Sequence, residues 1–201
     1  YSSGLGGGGY FVYYDAASGR VRTLDGRETA PAGITHDAFI DPDTGEPWNF
    51  TPELVTSGVS VGVPGTPATW ATALRRWGSM SLGQVLRPAS SLARRGFVVD
   101  DTFRLQTQEN ADRFRAFPAS TRLFLPHGDA PAVGSTFRNP DLAAMLEKLA
   151  ANGRVDAFYT GDIAAKIAAA FKAHGGILTA ADLAAFKPAG VETLALEWRG
   201  H

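Results

Sequence analysis

Short stretches of the chain read at the period of a strand and longer ones at the period of a helix. Residues Tyr10 to Tyr14 are aromatic and β-branched, Ala17-Ser18-Gly19 is turn chemistry, and Arg20 to Asp25 alternates polar with apolar, which together predict a β-hairpin. Val21 and Thr23 face one side of the second strand, Arg22 and Leu24 the other, so the alternation leaves open which face is buried. Residues 31–66 carry prolines at 31, 42, 47, 52 and 64 among Gly, Asp and Thr. That spacing predicts a long ordered excursion in place of a helix or central strand.

From Thr66 the period changes. Thr66 suits an N-cap and Pro67 the first helical position, Ala68, Ala71, Leu74 and Trp77 mark one face, and Gly78 ends the run. Ser81 caps a second helix whose stripe is Leu82, Val85, Leu86, Ala89 and Leu92, with Arg94-Arg95-Gly96 at its end and Pro88 predicting a kink or split. A less regular helical segment runs from Asp101 to Phe114, followed by a loop over 124–134. Asn139 to Ala151 reads as a capped helix with Pro140 at N1, Asp162 to Ala173 as an alanine-rich helix, and Thr179 caps a short helix through Phe186. Val191 to Trp198 is apolar enough to return as a strand. Recurrent Ala-Ala pairs have no fixed period and make no repeat. Strands at both ends with about five helices between them suit α+β or α/β layers equally.

Composition narrows the function classes. At 201 residues the chain suits one domain with a sizeable core. Its formal charge of -1 lacks the basic excess that a phosphate backbone requires, so nucleic acid is not an expected partner. The absence of cysteine excludes disulfides, thiolate zinc sites and a cysteine nucleophile. No run approaches the roughly 18 apolar residues of a membrane span, and no signal peptide opens the chain. The abrupt first and last residues predict a segment of a longer polypeptide.

Few residues offer chemistry. Gly6 to Gly9 could cradle a phosphate, yet no Lys-Ser or Lys-Thr and no helix follow, so a glycine lead-in to a buried strand is the favoured reading. Arg27, at a strand end in Asp25-Gly26-Arg27-Glu28-Thr29-Ala30-Pro31, could present its planar guanidinium as a fork for a carboxylate. It could equally pair with Asp25 on the same face or with Glu28 on the rim. His36, His127, His174 and His201 are isolated, so no metal motif is expected, and the serines lack a nucleophile elbow. Arg75-Arg76, Arg94-Arg95 and His174 complement helix dipoles, and Trp48, Trp70, Trp77 and Trp198 are expected to pack.

Five ordered blocks carry a resemblance. They are Ser3-Gly4-Leu5-Gly6-Gly7-Gly8-Gly9-Tyr10, Leu24 to Pro31, Val61-Gly62-Val63-Pro64-Gly65-Thr66-Pro67, Glu147 to Gly153 continued by Phe158-Tyr159-Thr160-Gly161-Asp162-Ile163-Ala164, and Gly175-Gly176-Ile177-Leu178-Thr179-Ala180-Ala181-Asp182-Leu183. In this order and spacing they resemble the γ-glutamyltranspeptidase family over nearly the whole chain. The resemblance implies an α+β fold, part of an αββα N-terminal-nucleophile hydrolase sandwich, and makes residues 1–201 a single domain from the later part of a large subunit.

Precursors of that family cut themselves, and the new N-terminal threonine of the small subunit is the nucleophile. The resemblance therefore implies no catalytic residue in this chain, which would be inactive alone, and a small subunit of the same precursor as partner. It maps Arg27 onto the arginine that holds the α-carboxylate of the γ-glutamyl donor, with Asp25 or Glu28 orienting it. The implied activity is γ-glutamyl transfer from glutathione or a related amide to water or an amino acid, with no cofactor and no metal. An acylase acting on a cephalosporin side chain or poly-γ-glutamate, or a non-catalytic scaffold, are the alternatives. The implied location is periplasmic, secreted or at the cell surface.

Overall fold

The computed structural model describes residues 4–199, so Ser3 of the first family block and His201 lie outside it. The predicted hairpin is present as β1 (Tyr10–Asp15) and β2 (Arg20–Asp25), antiparallel, with Tyr10 opposite Asp25 and Asp15 opposite Arg20. Its turn is closed by the Asp15 carboxylate, which accepts the Ala17 N–H at 3.1 Å and the Ser18 hydroxyl at 2.6 Å, and by Gly19 at φ 67°. Leu24 is fully buried, while Phe11 and Tyr13 stack on Trp77 with centroids 6.0 and 5.1 Å away. The register is thereby settled: Phe11, Tyr13 and Leu24 share the packed face, and Tyr10, Val12, Tyr14 and Val21 are exposed on the other. The expectation of a buried first strand is corrected, because Tyr10, Val12 and Tyr14 are all more than 60% exposed.

The helices follow their local signals closely. α1 (Thr66–Trp77) starts one residue earlier than its pattern suggests, with Gly65 as N-cap, because the Thr66 hydroxyl donates to the Gly7 carbonyl and does not cap its own helix. α2 (Leu82–Arg95) opens with a reciprocal Ser81–Gln84 capping box and runs through Pro88 unbroken, against the predicted kink or split. One missing ladder bond, at roughly 3 kcal/mol, is outweighed by burial of Leu82 and Leu86 against α6 (Pro140–Asn152), with which α2 forms the most extensive helix pair. Across that pair Arg94 grips Glu147 with two bonds of 3.0 and 2.6 Å.

Between them lie β3 (Phe97–Val98), α3 (Asp101–Glu109), α4 (Ala111–Arg115), α5 (Pro118–Phe124) and β4 (Thr136–Phe137). The predicted segment over 101–114 is thus two helices, broken at Asn110, and β3 pairs with β4 in a separate two-stranded ladder. Phe97, Phe103, Phe114, Phe124 and Phe137 form an aromatic cluster there, with successive centroids 4.6–5.6 Å apart. The main core gathers Val63 from the loop before α1 with Ala68 of α1, Leu86 of α2, Leu146 and Leu149 of α6, Phe158 of α7 (Asp156–Tyr159), Ala164 of α8 (Asp162–Ala173) and Leu183 of α9 (Ala180–Ala185).

The last strand, β5 (Ala189–Val191), pairs antiparallel with β2 and gives the sheet order β1-β2-β5. It ends where the sequence reading has it begin. Residues 192–198 have no ladder, and Leu194 and Leu196 are 95% and 87% exposed, so an apolar pattern without a packed partner does not make a strand here. Trp198 is likewise exposed, with the Arg199 guanidinium over its ring. The described fold is α+β: a small antiparallel sheet from the two chain ends and a mainly helical body between them.

Candidate functional site

Three backbone segments meet at the end of β2, and glycine is what lets them meet. Gly9 and Gly26 exchange N–H···O bonds of 3.2 and 2.9 Å, continuing the hairpin one pair beyond its strands. A Cβ on Gly8 would overlap the Gly26 carbonyl and stand 2.9 Å from the Glu28 nitrogen. Thr69 of α1 fills the place where Gly26 would carry a side chain, and Glu28 Cβ does the same at Gly62, with 2.7 Å left for a Cβ there. The Val63 N–H donates to the Thr29 carbonyl at 2.8 Å, which pins the far side of the turn. Residues 26–29 are consequently held on both flanks by main chain, with Gly26 itself buried.

The glycine run does not cradle an anion. Its Gly7 carbonyl accepts from the Gly65 and Thr66 amides, both at 3.0 Å, and from the Thr66 hydroxyl at 2.8 Å, so the start of α1 is occupied by the chain's own oxygen. The Ala68 N–H, another amide without a helical acceptor, goes to the Tyr159 hydroxyl at 3.1 Å, and that hydroxyl donates onward to the Pro64 carbonyl at 2.8 Å. Burial pushes the Tyr159 phenol well above its ordinary value, so it stays un-ionised.

Arg27 stands on this platform with its side chain 59% exposed. Asp25 Oδ1 accepts the Arg27 backbone N–H at 2.9 Å and so fixes the turn, not the fork. Glu28 Oε2 lies 3.5 Å from Arg27 Nε, within reach for charge attraction but outside hydrogen-bond geometry. Contrary to a rim placement, Glu28 is 26% exposed and its Oε2 is fully buried without a hydrogen-bond partner. Among the described residues no acceptor lies within hydrogen-bond distance of Arg27 Nη1 or Nη2. Two wide clefts, about 760 and 850 Å³, share Phe124, Phe137 and Asn139, and neither is lined by Asp25, Arg27 or Glu28.

Two further residues brace the turn and escape single-residue reading. Tyr159 is one, since its partners are more than 90 positions away. Asp182 is the other: its Oδ2 closes the capping box with Thr179, and its Oδ1 accepts the Ala32 N–H at 2.8 Å, tying α9 to the segment that leaves the Arg27 turn. The Thr-x-x-Asp spacing signals the box but not the second bond. The Thr179 hydroxyl, then the Ala32 N–H, hold the Asp182 carboxyl below its ordinary pKa. Among the described residues no cluster of His, Asp and Glu could hold a metal ion, and His174 sits edge-on to Phe117 at 5.4 Å.

Known proteins resemble this chain in sequence and in fold. The family model described as Gamma-glutamyltranspeptidase matches residues 1–201. A glutathione hydrolase proenzyme of Escherichia coli is 36% identical over 204 residues, covering 98% of this chain and 33% of that protein. The chain thus spans about a third of the length of the curated relatives it matches. The crystal structure of the Helicobacter pylori γ-glutamyltranspeptidase superposes with a TM-score of 0.92 at 31% identity, over 100% of this chain and 56% of that one. The cephalosporin acylase from Bacillus halodurans superposes with a TM-score of 0.84 at 28% identity, over 98% and 36%. With the family model matching it along its whole length, the chain belongs to the γ-glutamyltranspeptidase family.

Proposed function

We propose that this chain is a single domain from the later part of a large subunit, within an αββα sandwich completed by a small subunit of the same precursor. The complete enzyme takes a γ-glutamyl group from glutathione or a related amide onto a threonine of that small subunit. It then passes the acyl group to water or to an amino acid. The relatives' description as proenzymes supports the two-subunit reading, and their description as glutathione hydrolases supports the donor.

Within this scheme Arg27 holds the α-carboxylate of the donor. The observation that carries the reading is an exposed guanidinium on a turn held by its backbone, with no acceptor at Nη1 or Nη2 among the described residues. A planar, permanently charged fork accepts two carboxylate oxygens at once and fixes the amino-acid end, leaving the γ-carbonyl to reach the nucleophile. Asp25 sets the backbone of the turn, and Glu28 sets the Nε edge of the guanidinium. No cofactor or metal is needed for acyl transfer through a hydroxyl nucleophile.

In the complete enzyme Arg27→Ala should raise KM for glutathione by about two orders of magnitude while leaving self-cleavage intact, which is the loss expected when a charge-assisted pair is removed. Arg27→Lys should also be impaired, because a point charge does not replace a fork. Unchanged donor kinetics in both variants would remove the assignment. The likeness to a cephalosporin acylase supports a second reading, an acylase for another amide. Arg27 has no task on a substrate without a free α-carboxylate, so comparing donors with and without that group separates the two. Intact mass of the full-length product, showing or lacking a second chain that begins with threonine, separates both from a non-catalytic scaffold.

A further inference from the structure

We infer that Tyr159 is a positioning residue for the Arg27 clamp, acting from behind the turn through Gly65 and Gly26, an inference that rests on the carboxylate-holding role of Arg27. Its hydroxyl takes the Ala68 N–H at 3.1 Å and gives its proton to the Pro64 carbonyl at 2.8 Å, so one buried group holds the chain on both sides of Gly65. The ring is stacked on Phe186 at 5.9 Å and 11°, and Phe186 Cζ in turn stands 2.8 Å from where Gly65 would carry a Cβ. Gly65 is therefore fixed by two hydrogen bonds next to it and by an aromatic wall.

What Gly65 touches is the residue before Arg27. The Gly26 carbonyl oxygen occupies the space of a Gly65 Cβ, and the side chain of Thr69, whose Oγ1 donates to the Gly65 carbonyl at 2.9 Å, occupies the space of a Gly26 Cβ. Gly26 is thus wedged between two residues whose positions the phenol sets. The Tyr159 hydroxyl bonds main chain at Ala68 and Pro64, so its effect on donor binding passes through the backbone at Gly65 and Gly26 and the Thr69 side chain between them. Packed backbone does not deform continuously; a shift at Gly65 moves Gly26, and the guanidinium moves with it.

The phenol also explains a buried polar group that packing alone does not require. Phenylalanine would fill the same volume against Phe158 and Phe186, yet it would leave the Ala68 N–H and the Pro64 carbonyl without their partner. Binding selectivity for the α-carboxylate distinguishes a positioning role from a merely structural one. A general loosening weakens every donor, whereas a displaced clamp weakens only donors that use it.

The test uses the full-length, self-processed enzyme with two chromogenic donors, γ-glutamyl-p-nitroanilide and 4-aminobutyryl-p-nitroanilide, which differ only in the α-carboxylate. In Tyr159→Phe the ratio of kcat/KM between the two donors should fall about tenfold, through KM of the first, with kcat changed less than about twofold. Thr69→Ala, a smaller change to the same wedge, should lower the ratio about threefold and guards against a Tyr159→Phe protein that does not fold. An unchanged ratio in the folded variants, or equal losses on both donors, overturns the inference. Arg27→Ala is run alongside. If it abolishes the ratio while Tyr159→Phe and Thr69→Ala leave it intact, only the role of Tyr159 is lost; if Arg27→Ala leaves the ratio unchanged, the clamp and this inference fall together.

Discussion

An alanine scan through Gly6-Gly7-Gly8-Gly9 should give a sharply uneven result, with Gly8 alone intolerant. Nothing stands within 4 Å of a Cβ built on Gly6 or Gly9, and the nearest atom to one on Gly7 is Glu28 Oε1 at an ordinary 3.5 Å. On Gly8 the added carbon overlaps the Gly26 carbonyl oxygen and lies 2.9 Å from the Glu28 nitrogen and 3.0 Å from the Arg27 carbonyl carbon, all of them backbone. A side chain could swing aside, but here the two strands of the turn would have to part by about 0.5–1 Å to restore van der Waals spacing. Overpacking of that kind costs roughly 1–3 kcal/mol.

None of these three glycines has a positive φ, so alanine at Gly6 or Gly9 should be neutral or stabilising by about 0.4–1 kcal/mol through the unfolded state. Thermal unfolding of the full-length protein measures the first effect. The ratio of kcat/KM for donors with and without the α-carboxylate measures the second, and displacement of the Arg27 turn by close to 1 Å should lower it by up to about 100-fold. Four equal tolerances, or a Gly9→Ala protein more damaged than Gly8→Ala, would refute the view that the run exists for one close backbone approach.

Two other perturbations test the body of the fold and its acid limb. Leu149 is fully buried in the α2–α6 core, and Leu149→Ala should destabilise by about 2–5 kcal/mol in denaturant unfolding, with no preference between donors among the molecules that remain folded. Asp182 has its pKa lowered by the Thr179 and Ala32 bonds, so its contribution is complete above the ordinary carboxylate pKa and is lost as pH falls through the depressed folded value. Asp182→Asn should therefore flatten the decline of the thermal midpoint below about pH 4, and a decline as steep as the parent's would show that other carboxylates carry it.

Elements whose causes are local were legible in the sequence. The hairpin is written in Tyr10 to Tyr14 and the Ala17-Ser18-Gly19 turn, and α2, α6 and α9 are announced by the caps Ser81, Asn139 and Thr179, each of which accepts the amide its position predicts. Elements whose causes lie elsewhere were not. The two-residue strands β3 and β4 exist only by pairing with each other across a long intervening segment, and the one-turn helix α7 exists to place Phe158 and Tyr159 in the core. Conversely, the apolar alternation over 192–198 is a strand pattern without a strand, because β2 pairs only as far as Val191. At the site, Arg27 stood out through its resemblance to a known block, but the burial of Glu28 and the bracing by Tyr159 and Asp182 depend on contacts between distant segments that spacing does not encode.

A carboxylate clamp has to be rigid in its stem and unsatisfied at its tip, and these demands conflict whenever the usual means of holding an arginine is an acid on its terminal nitrogens. In the role proposed for Arg27, its turn separates them. Asp25 spends its carboxylate on the backbone N–H, Gly8, Gly62 and Gly65 clamp the main chain, and Glu28 approaches only the Nε edge at 3.5 Å. Moving the acid one position closer to Nη1 and Nη2 would give a better salt bridge and a worse receptor, since an incoming carboxylate would first have to displace it. In that proposed role the half-buried Glu28 is a compromise: at 3.5 Å from Nε it offsets the positive charge while leaving Nη1 and Nη2 to a donor carboxylate. Glu28→Gln distinguishes this from simple structural burial: removing the offsetting negative charge without changing shape should lower donor KM, whereas an unchanged KM would leave Glu28 a merely structural role.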